Sequence, residues 1–345
     1  MTANKLSSVL FSAPLVLVIA GCASEDAPTG PSTDASAARA LASSYTAVDL
    51  GPAGTAYSKA TGINPAGQVV GWTAAGTAFR WDKGVITNLG TLGGCCSYAK
   101  AINSAGDVVG YSVSGDGLFH PFLWSKGVMT NLGGLGGIFS EANAVNAAGQ
   151  VVGRSYTPAG EERAFLWEKG VMTDLGTLGG TWSRAYGINA RGQVVGESAT
   201  ATGWRAFLWE NGVMTDLGTL GGCCSLAAGI NSAGQVVGTT FLPGGAFHAF
   251  LWENGVMTDL GTPGGDFIYS QAVAINSAGE VAGWSVDAAQ VRAHAVLWSK
   301  GKTIDLDASG ADYSQALGIN PKGDVVGLTG SGPFSSSATL WTKKR

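Results

Sequence analysis

The chain has 345 residues, 54 of them glycine, and only 13% are Asp, Glu, Lys or Arg. Low charge beside 45% apolar residues excludes a disordered chain, which has little to bury, and fits a turn-dense β-protein with continuous buried strands. The net charge of −4 is spread without any basic block or stripe, which excludes a nucleic-acid partner, because phosphate binding needs clustered Lys and Arg.

Residues 1–21 read as a signal peptide. Lys5 supplies the positive start, and residues 9–20, VLFSAPLVLVIA, are too short to span a bilayer comfortably as a permanent helix. The run ends in Ile19-Ala20-Gly21-Cys22, which resembles a bacterial lipoprotein signal, where cleavage before Cys22 leaves a thiol for acylation. Two or more acyl chains are enough for stable membrane anchoring. The alternative is an ordinary secretory peptide cleaved nearby. Ala23 stands where an Asp would be an inner-membrane signal, so resemblance to Gram-negative lipoproteins implies passage to the outer membrane. Residues 22–44, rich in Ala, Ser, Pro and Thr after Cys22, read as a lipid-anchored flexible linker.

From residue 45 onward the chain repeats itself. Ile/Val-Asn-x-x-Gly-x-Val-x-Gly begins at Ile63, Ile102, Val145, Ile188, Ile230, Ile275 and Ile319, at intervals of 39 to 45 residues. A Trp closing a short apolar run recurs in step at Trp81, Trp124, Trp167, Trp209, Trp252, Trp298 and Trp341. Asp or Asn before a turn recurs at Asp49, Asn88, Asn131, Asp174, Asp216, Asp259 and Asp305. In the fifth copy, SLAAGIN, QVVGTT, HAFLW and VMTDLG read as four strands, with Ser225, Ala227 and Gly229 on one face of the first. The Asn-Gly between the third and fourth is a strong hairpin signal. Four antiparallel strands every 40–45 residues describe a β-propeller blade. Residues 45–51 match a fourth strand alone and residues 338–344 a third strand alone, so the first strand can complete the last blade and leave no open edge. The expectation for 45–345 is an all-β, seven-bladed propeller of four-stranded antiparallel blades, closed by its N-terminal strand.

These residues resemble the HAF-repeat family of bacterial extracellular proteins, named for His-Ala-Phe before Leu-Trp. Residues 247–262, FHAFLWENGVMTDLGT, carry the pattern in full, and the resemblance covers about 45–345. Most copies depart from it: Thr77-Ala78-Phe79, His120-Pro121-Phe122, Arg163-Ala164-Phe165, Arg205-Ala206-Phe207, His294-Ala295-Val296 and Ser337-Ala338-Thr339. The resemblance implies the fold and export; it implies no chemistry for His.

No nucleophile elbow, phosphate loop, His-Glu-x-x-His or calcium loop occurs. His120, His248 and His294 occupy one equivalent site on separate blades and cannot easily meet at a metal, so neither metal nor cofactor is expected. The Asp/Asn series reads as side-chain caps on the interblade turn. Cys95-Cys96 and Cys223-Cys224 both follow Gly-Gly, three blades apart. Free thiols are unusual in an exported protein, so two vicinal disulfides come first, reduced pairs next and a metal site last. Trp204, in a loop between second and third strands, is a candidate anchor; local packing is the simpler reading.

Variation between copies marks a candidate binding rim. Before the recurrent Ser of the first strand stand Tyr57, Cys96, Phe139, Trp182, Cys224, Tyr269 and Tyr313; after it stand Lys59, Tyr98, Glu141, Arg184, Leu226, Gln271 and Gln315. With the first strand innermost, both rings edge the channel mouth, as a binding face or as drift at a solvated edge. The leading expectation is an exported, lipid-anchored monomer that binds an envelope or extracellular protein or glycan through this rim and the loops between second and third strands. The alternative is a propeller lyase or hydrolase with acid and base groups converging on the channel, for which Lys59, Glu141 and Arg184 are the charged candidates.

Overall fold

A computed structural model describes residues 45–51, 57–289, 292–307 and 311–344. The signal sequence, Cys22 and the linker lie outside the described residues. No helix occurs among the described residues, and none is long and apolar enough to cross a membrane.

Period-two alternation and Gly-rich turns give each repeat the same sheet. In the first, strands Ser58–Ile63, Val69–Thr73, Ala78–Asp82 and Val85–Asn88 pair antiparallel in chain order. Five four-stranded sheets follow this plan, and a sixth sheet has eight strands. The eight-stranded sheet has two antiparallel halves that meet at the parallel pair Ala293↔Tyr313. Its outer edge is Tyr45–Asp49, paired antiparallel with Ser335–Lys343 from Tyr45↔Lys343 to Asp49↔Thr339, so the two chain ends share a sheet as the repeat phase required.

The first strand of each unit packs against the first strands of the units before and after it, and Ser58–Ile63 packs against both Gly93–Ile102 and Tyr313–Ile319. The first strands are therefore innermost, and the ring is closed. Apolar side chains fill the spaces between sheets: Val70, Ala78 and Leu89 of one sheet meet Ala99, Val108, Phe122 and Trp124 of the next. Phe79, Phe122, Phe165, Phe207 and Phe250, the last letter of the tripeptide, are fully buried; each such side chain contributes about 1.5–3 kcal/mol of burial. At the third-to-fourth-strand hairpins both turn residues have positive φ, as in Asn211 (52°) and Gly212 (85°), the twist that two-residue hairpins favour.

The strict alternation expected for the first strand breaks at one residue. Ala227 pairs with Gly238 and Gly229 with Val237, leaving Ala228 as a bulge, so Gly229 lies on the face opposite Ala227. The same bulge interrupts every first strand, at Thr61, Lys100, Asn143, Tyr186, Val273 and Leu317. It explains the glycine of Val-Val-Gly: a Cβ at Gly71 would sit 2.0 Å from the Lys59 carbonyl oxygen.

Two polar devices join neighbouring sheets. The backbone N–H of the middle residue of the tripeptide donates to the Ser of the next first strand, as in Ala164 N to Ser183 Oγ and Ala206 N to Ser225 Oγ, both 2.9 Å. Six units do this. The exception has Pro121, which carries no N–H, and there Ser140 Oγ bonds Ser155 Oγ at 2.8 Å instead. At the other end of each first strand, Asn64 Oδ1 accepts from Ala66 N and Gln68 N while its Nδ2 donates to the Asn103 carbonyl, 3.1 Å away. Asn103, Asn146, Asn189, Asn231 and Asn276 pass the same 3.1 Å bond to the next Asn carbonyl.

The exception supplies a test. Ser183→Ala orphans the buried Ala164 N–H and is expected to cost about 1–3 kcal/mol in denaturant unfolding, whereas Ser140→Ala orphans no backbone donor and is expected to cost less. Equal losses would mean that the hydroxyl's contribution is packing alone.

Candidate functional site

Because the strands alternate in direction, each first strand begins, and each second-to-third-strand loop turns, at the same end of the ring. The Asn turns and the outer hairpins occupy the other end. The expected rim lies at the first of these ends, which is called the open end below.

The rim residues are less exposed than a binding face demands. Glu141 and Gln315 are buried, and Tyr57, Lys59, Tyr98, Phe139, Trp182, Arg184, Tyr269, Gln271 and Tyr313 are half-buried. The aromatic members pack on other rings, within a sheet and across the seams between sheets. Tyr57 meets Trp72 at 5.5 Å, Trp72 meets Tyr98 at 5.3 Å, and Tyr98 stacks on Tyr111 at 4.9 Å between ring centres. Phe139 continues the belt to Tyr156, and Tyr269 stacks on Phe247 at 4.6 Å. Trp204 belongs to strand Gly203–Glu210 rather than to a loop, and it lies edge-on to Phe241 of the next sheet at 6.2 Å. Much of the variation in these rings is therefore alternative packing of one seam, not free surface.

Two of the three charged candidates join a buried ionic network. Arg154 bonds Glu141 at 2.8 Å and Glu162 at 2.6 Å; Arg184 bonds Glu162 at 2.9 Å and Glu197 at 3.3 Å. Tyr186 donates to Glu197 at 2.6 Å, and Arg184 also lies 4.9 Å over the Trp182 ring. Burial opposes the Glu141 carboxylate, but Lys100 and Arg154 outweigh it and hold its pKa below the usual range; burial pushes Glu197 up in spite of Tyr186 and Arg184. Arg154, Glu162, Glu197 and the bulge residues Lys100 and Tyr186 were not singled out in the sequence. The cue was present in Arg154 and Glu197, each directly across the strand pair from a rim charge (Glu141↔Arg154, Arg184↔Glu197). Lys59 stands apart from the network, so the three candidate charges do not converge.

The expected caps are present in every unit: Gly51 N to Asp49, Gly90 N to Asn88, Gly133 N to Asn131, Gly176 N to Asp174, Gly218 N to Asp216, Gly261 N to Asp259 and Asp307 N to Asp305, all within 2.7–2.9 Å. They also explain the first letter of the tripeptide. His248 and His294 each place Nδ1 2.8 Å from the capping Asp259 and Asp305, and Arg163 lies 3.6 Å from Asp174. Where the cap is the neutral Asn131, His120 turns to Asp116 at 3.0 Å. The histidines hold turns in place, and no group of three metal-ligating side chains gathers among the described residues.

The expected pair of vicinal disulfides divides. Cys95 and Cys96 are bonded, whereas Cys223 and Cys224 are free. Strand Gly93–Ile102 runs through the first pair; its counterpart starts only at Ser225, which leaves Cys223 and Cys224 in the preceding turn, with Arg205 donating to the Cys223 carbonyl. Burial, and the hydrogen bond with Cys223 after it, push the Cys224 thiol up to about 11, which keeps it protonated at neutral pH.

The His294–Asp305 cap predicts a pH dependence. Burial opposes the His294 imidazolium, but Asp305 outweighs it and raises the pKa above 6.5. A raised folded-state pKa stabilises fully below 6.5, and that contribution disappears as pH rises through the raised value. His294→Gln is therefore expected to lower stability by about 1 kcal/mol near pH 5.5 and by much less near pH 8.5. An equal loss at both pH values would show that the imidazole's charge plays no part.

No protein-family model and no curated protein matches the chain. Solved structures do. The chain is similar to YCF48 bound to a D1 peptide (13% identity, TM-score 0.52, covering 88% of this chain and 97% of that one). It is similar to the WD40 β-propeller domain of Doa1 (13%, TM-score 0.50, 87% and 98%). It is also similar to a Mycobacterium tuberculosis puromycin-hydrolyzing peptidase (14%, TM-score 0.50, 83% and 48%), about half of whose length it spans. Identities this low show the fold alone, and that fold is the β-propeller.

Proposed function

We propose that the chain is a seven-bladed propeller of the HAF-repeat kind, exported, anchored by lipid at Cys22, and acting as a monomeric binding module for an envelope or extracellular protein or glycan. The blade count rests on treating the eight-stranded sheet as two blades touching at the single pair Ala293↔Tyr313. One observation carries the binding reading. Leu118, Ile138, Ile268 and Phe334 are 37%, 75%, 42% and 79% exposed, and all four sit at the open end, in second-to-third-strand loops or at the entry to first strands. Leu118 and Ile138 stand in the second and third units, Ile268 and Phe334 in the sixth and seventh. Unlike the exposed outer-strand Val85, Val128, Val171, Val213 and Val256 they do not repeat from unit to unit, and such unrepeated apolar exposure supports an interaction surface. The surface is thus displaced outward from the rim that the sequence suggested, onto loop tips standing above the packed aromatic belt. Export and the lipid anchor rest on the Ile19-Ala20-Gly21-Cys22 motif.

A screen of the soluble 45–345 fragment against envelope proteins and glycans tests the reading. A ligand bound at micromolar levels is expected to lose about tenfold or more in affinity with Ile138→Asp plus Phe334→Asp, at unchanged thermal stability. Absence of any ligand at that level, or a ligand indifferent to both substitutions, overturns it. Cys22→Ser is expected to move the exported protein from the membrane fraction to the soluble one.

A further inference from the structure

The inner wall of the ring is chemically lopsided. First strands of the first four repeats carry Lys59, Lys100, Glu141, Arg184 and Tyr186, while the corresponding positions in the last three carry Leu226, Ala228, Gln271, Val273, Gln315 and Leu317. Along the charged arc, Glu141, Glu162 and Glu197 face Arg154 and Arg184 in direct ion pairs, and Lys100 acts electrostatically on Glu141. Three carboxylates thus stand against four cations, and the unmatched one is Lys59. Among the described residues no carboxylate bonds it. Its cross-strand partner is Trp72, whose ring meets that of Tyr98 on the next first strand at 5.3 Å, and Lys100 is the charge that acts on it. Lys100 itself lies 5.5 Å over the Tyr111 ring without a bonded acid.

We propose that Lys59 and Lys100 form a binding site for a singly charged carboxylate at the inner wall, with the half-buried Trp72 and Tyr98 rings receiving the ligand's carbon skeleton. An ammonium kept partly out of water without a counter-ion is costly, and a carboxylate is the small anion that restores balance. A doubly charged phosphate would overshoot one unmatched cation and meet Glu141 behind Lys100. Half-buried aromatic rings beside a cation suit an organic acid with an apolar face or ring. The site shares the open end with the proposed docking surface but none of its residues, so substitutions at Ile138 and Phe334 test the docking reading and those at Lys59 and Lys100 test this one.

The charged group that acts on Lys59 is Lys100 on the next first strand; Tyr57 and Tyr98 flank Trp72, its cross-strand partner, and Tyr313 acts on Tyr57. Burial first, and Lys100 second, bring Lys59 down to about 7. Carboxylate binding is therefore strongest below pH 7 and fades above it as Lys59 loses its proton, and a bound anion raises the midpoint.

The test is calorimetry on the folded protein with glucuronate and benzoate as probes, and with glucose and benzyl alcohol as uncharged controls. The acids are expected to bind about tenfold or more tightly than their controls. Lys59→Met abolishes that preference, Lys100→Gln weakens it and Lys59→Arg retains it. Glucuronate alone binding identifies an acidic sugar, and benzoate binding as well identifies organic acids at large. Equal affinity for acid and control, or a Lys59→Met protein that binds as well as the parent, overturns the proposal. Reductive methylation with labelled formaldehyde gives a second readout. The Lys59 resonance is expected to titrate near pH 7 and to shift upward when an acid is bound, and a midpoint unmoved by either acid also overturns it.

Discussion

Everything in this ring depends on how closely one first strand can approach the next. The innermost strands of adjacent sheets lie within backbone contact: a Cβ at Gly62 would stand 3.3 Å from the Ala101 Cα, and one at Gly318 would stand 3.4 Å from the Gly62 Cα. Backbone polar groups brought that near must be satisfied across the seam, since water is excluded there. The Ser hydroxyl and the Asn amide do this at the two ends of the strand, and both are supplied by side chains rather than by a continuous β-ladder. Neighbouring sheets therefore remain separate sheets yet are locked in register.

The repeat text follows from that constraint. Ser must reach the neighbour's N–H, Ala must be small enough to leave it reachable, and Asn must cap its own turn while donating forward. The bulge after Ala brings the strand's carbonyl so close that it forces Gly on the strand opposite. His and Arg at the head of the tripeptide brace the carboxylate that caps the outgoing turn. None of these positions is available for a ligand, because each is already used to hold a turn, to fit the bulge or to join one sheet to the next.

Chemistry is left to the positions that these joints do not specify. At the open end the loop tips project apolar side chains, and along the inner wall the residues around the bulge vary from Lys and Glu to Ala and Leu. The buried Glu141–Arg154–Glu162–Arg184–Glu197 chain shows how costly such variation is. Each charge survives only because its neighbour compensates it, and removing one partner of a buried pair commonly costs about 3–5 kcal/mol. The same reasoning isolates Lys59, whose charge has no such neighbour.

The sheets, their order and the pairing of Tyr45–Asp49 with the last strand were legible in the sequence, because a strand's period is a local property repeated seven times, and the outer hairpin, Asn-Gly in two units and Lys-Gly in four, is as local. The turn caps were legible for the same reason: a carboxylate two residues before its N–H partner needs no distant information. The forward bond of Asn64 to Asn103 was not legible, because its partner lies 39 residues away and only the packing of one sheet on the next brings it near. Nor was the bulge, which depends on backbone pairing and inverts which side chains share a face. Burial of Glu141 and Gln315, the division of the two cysteine pairs and the isolation of Lys59 were likewise decided by tertiary packing. Sequence spacing assigns residues to a strand, but only the neighbouring sheet determines whether a side chain meets solvent, a ring or an opposite charge.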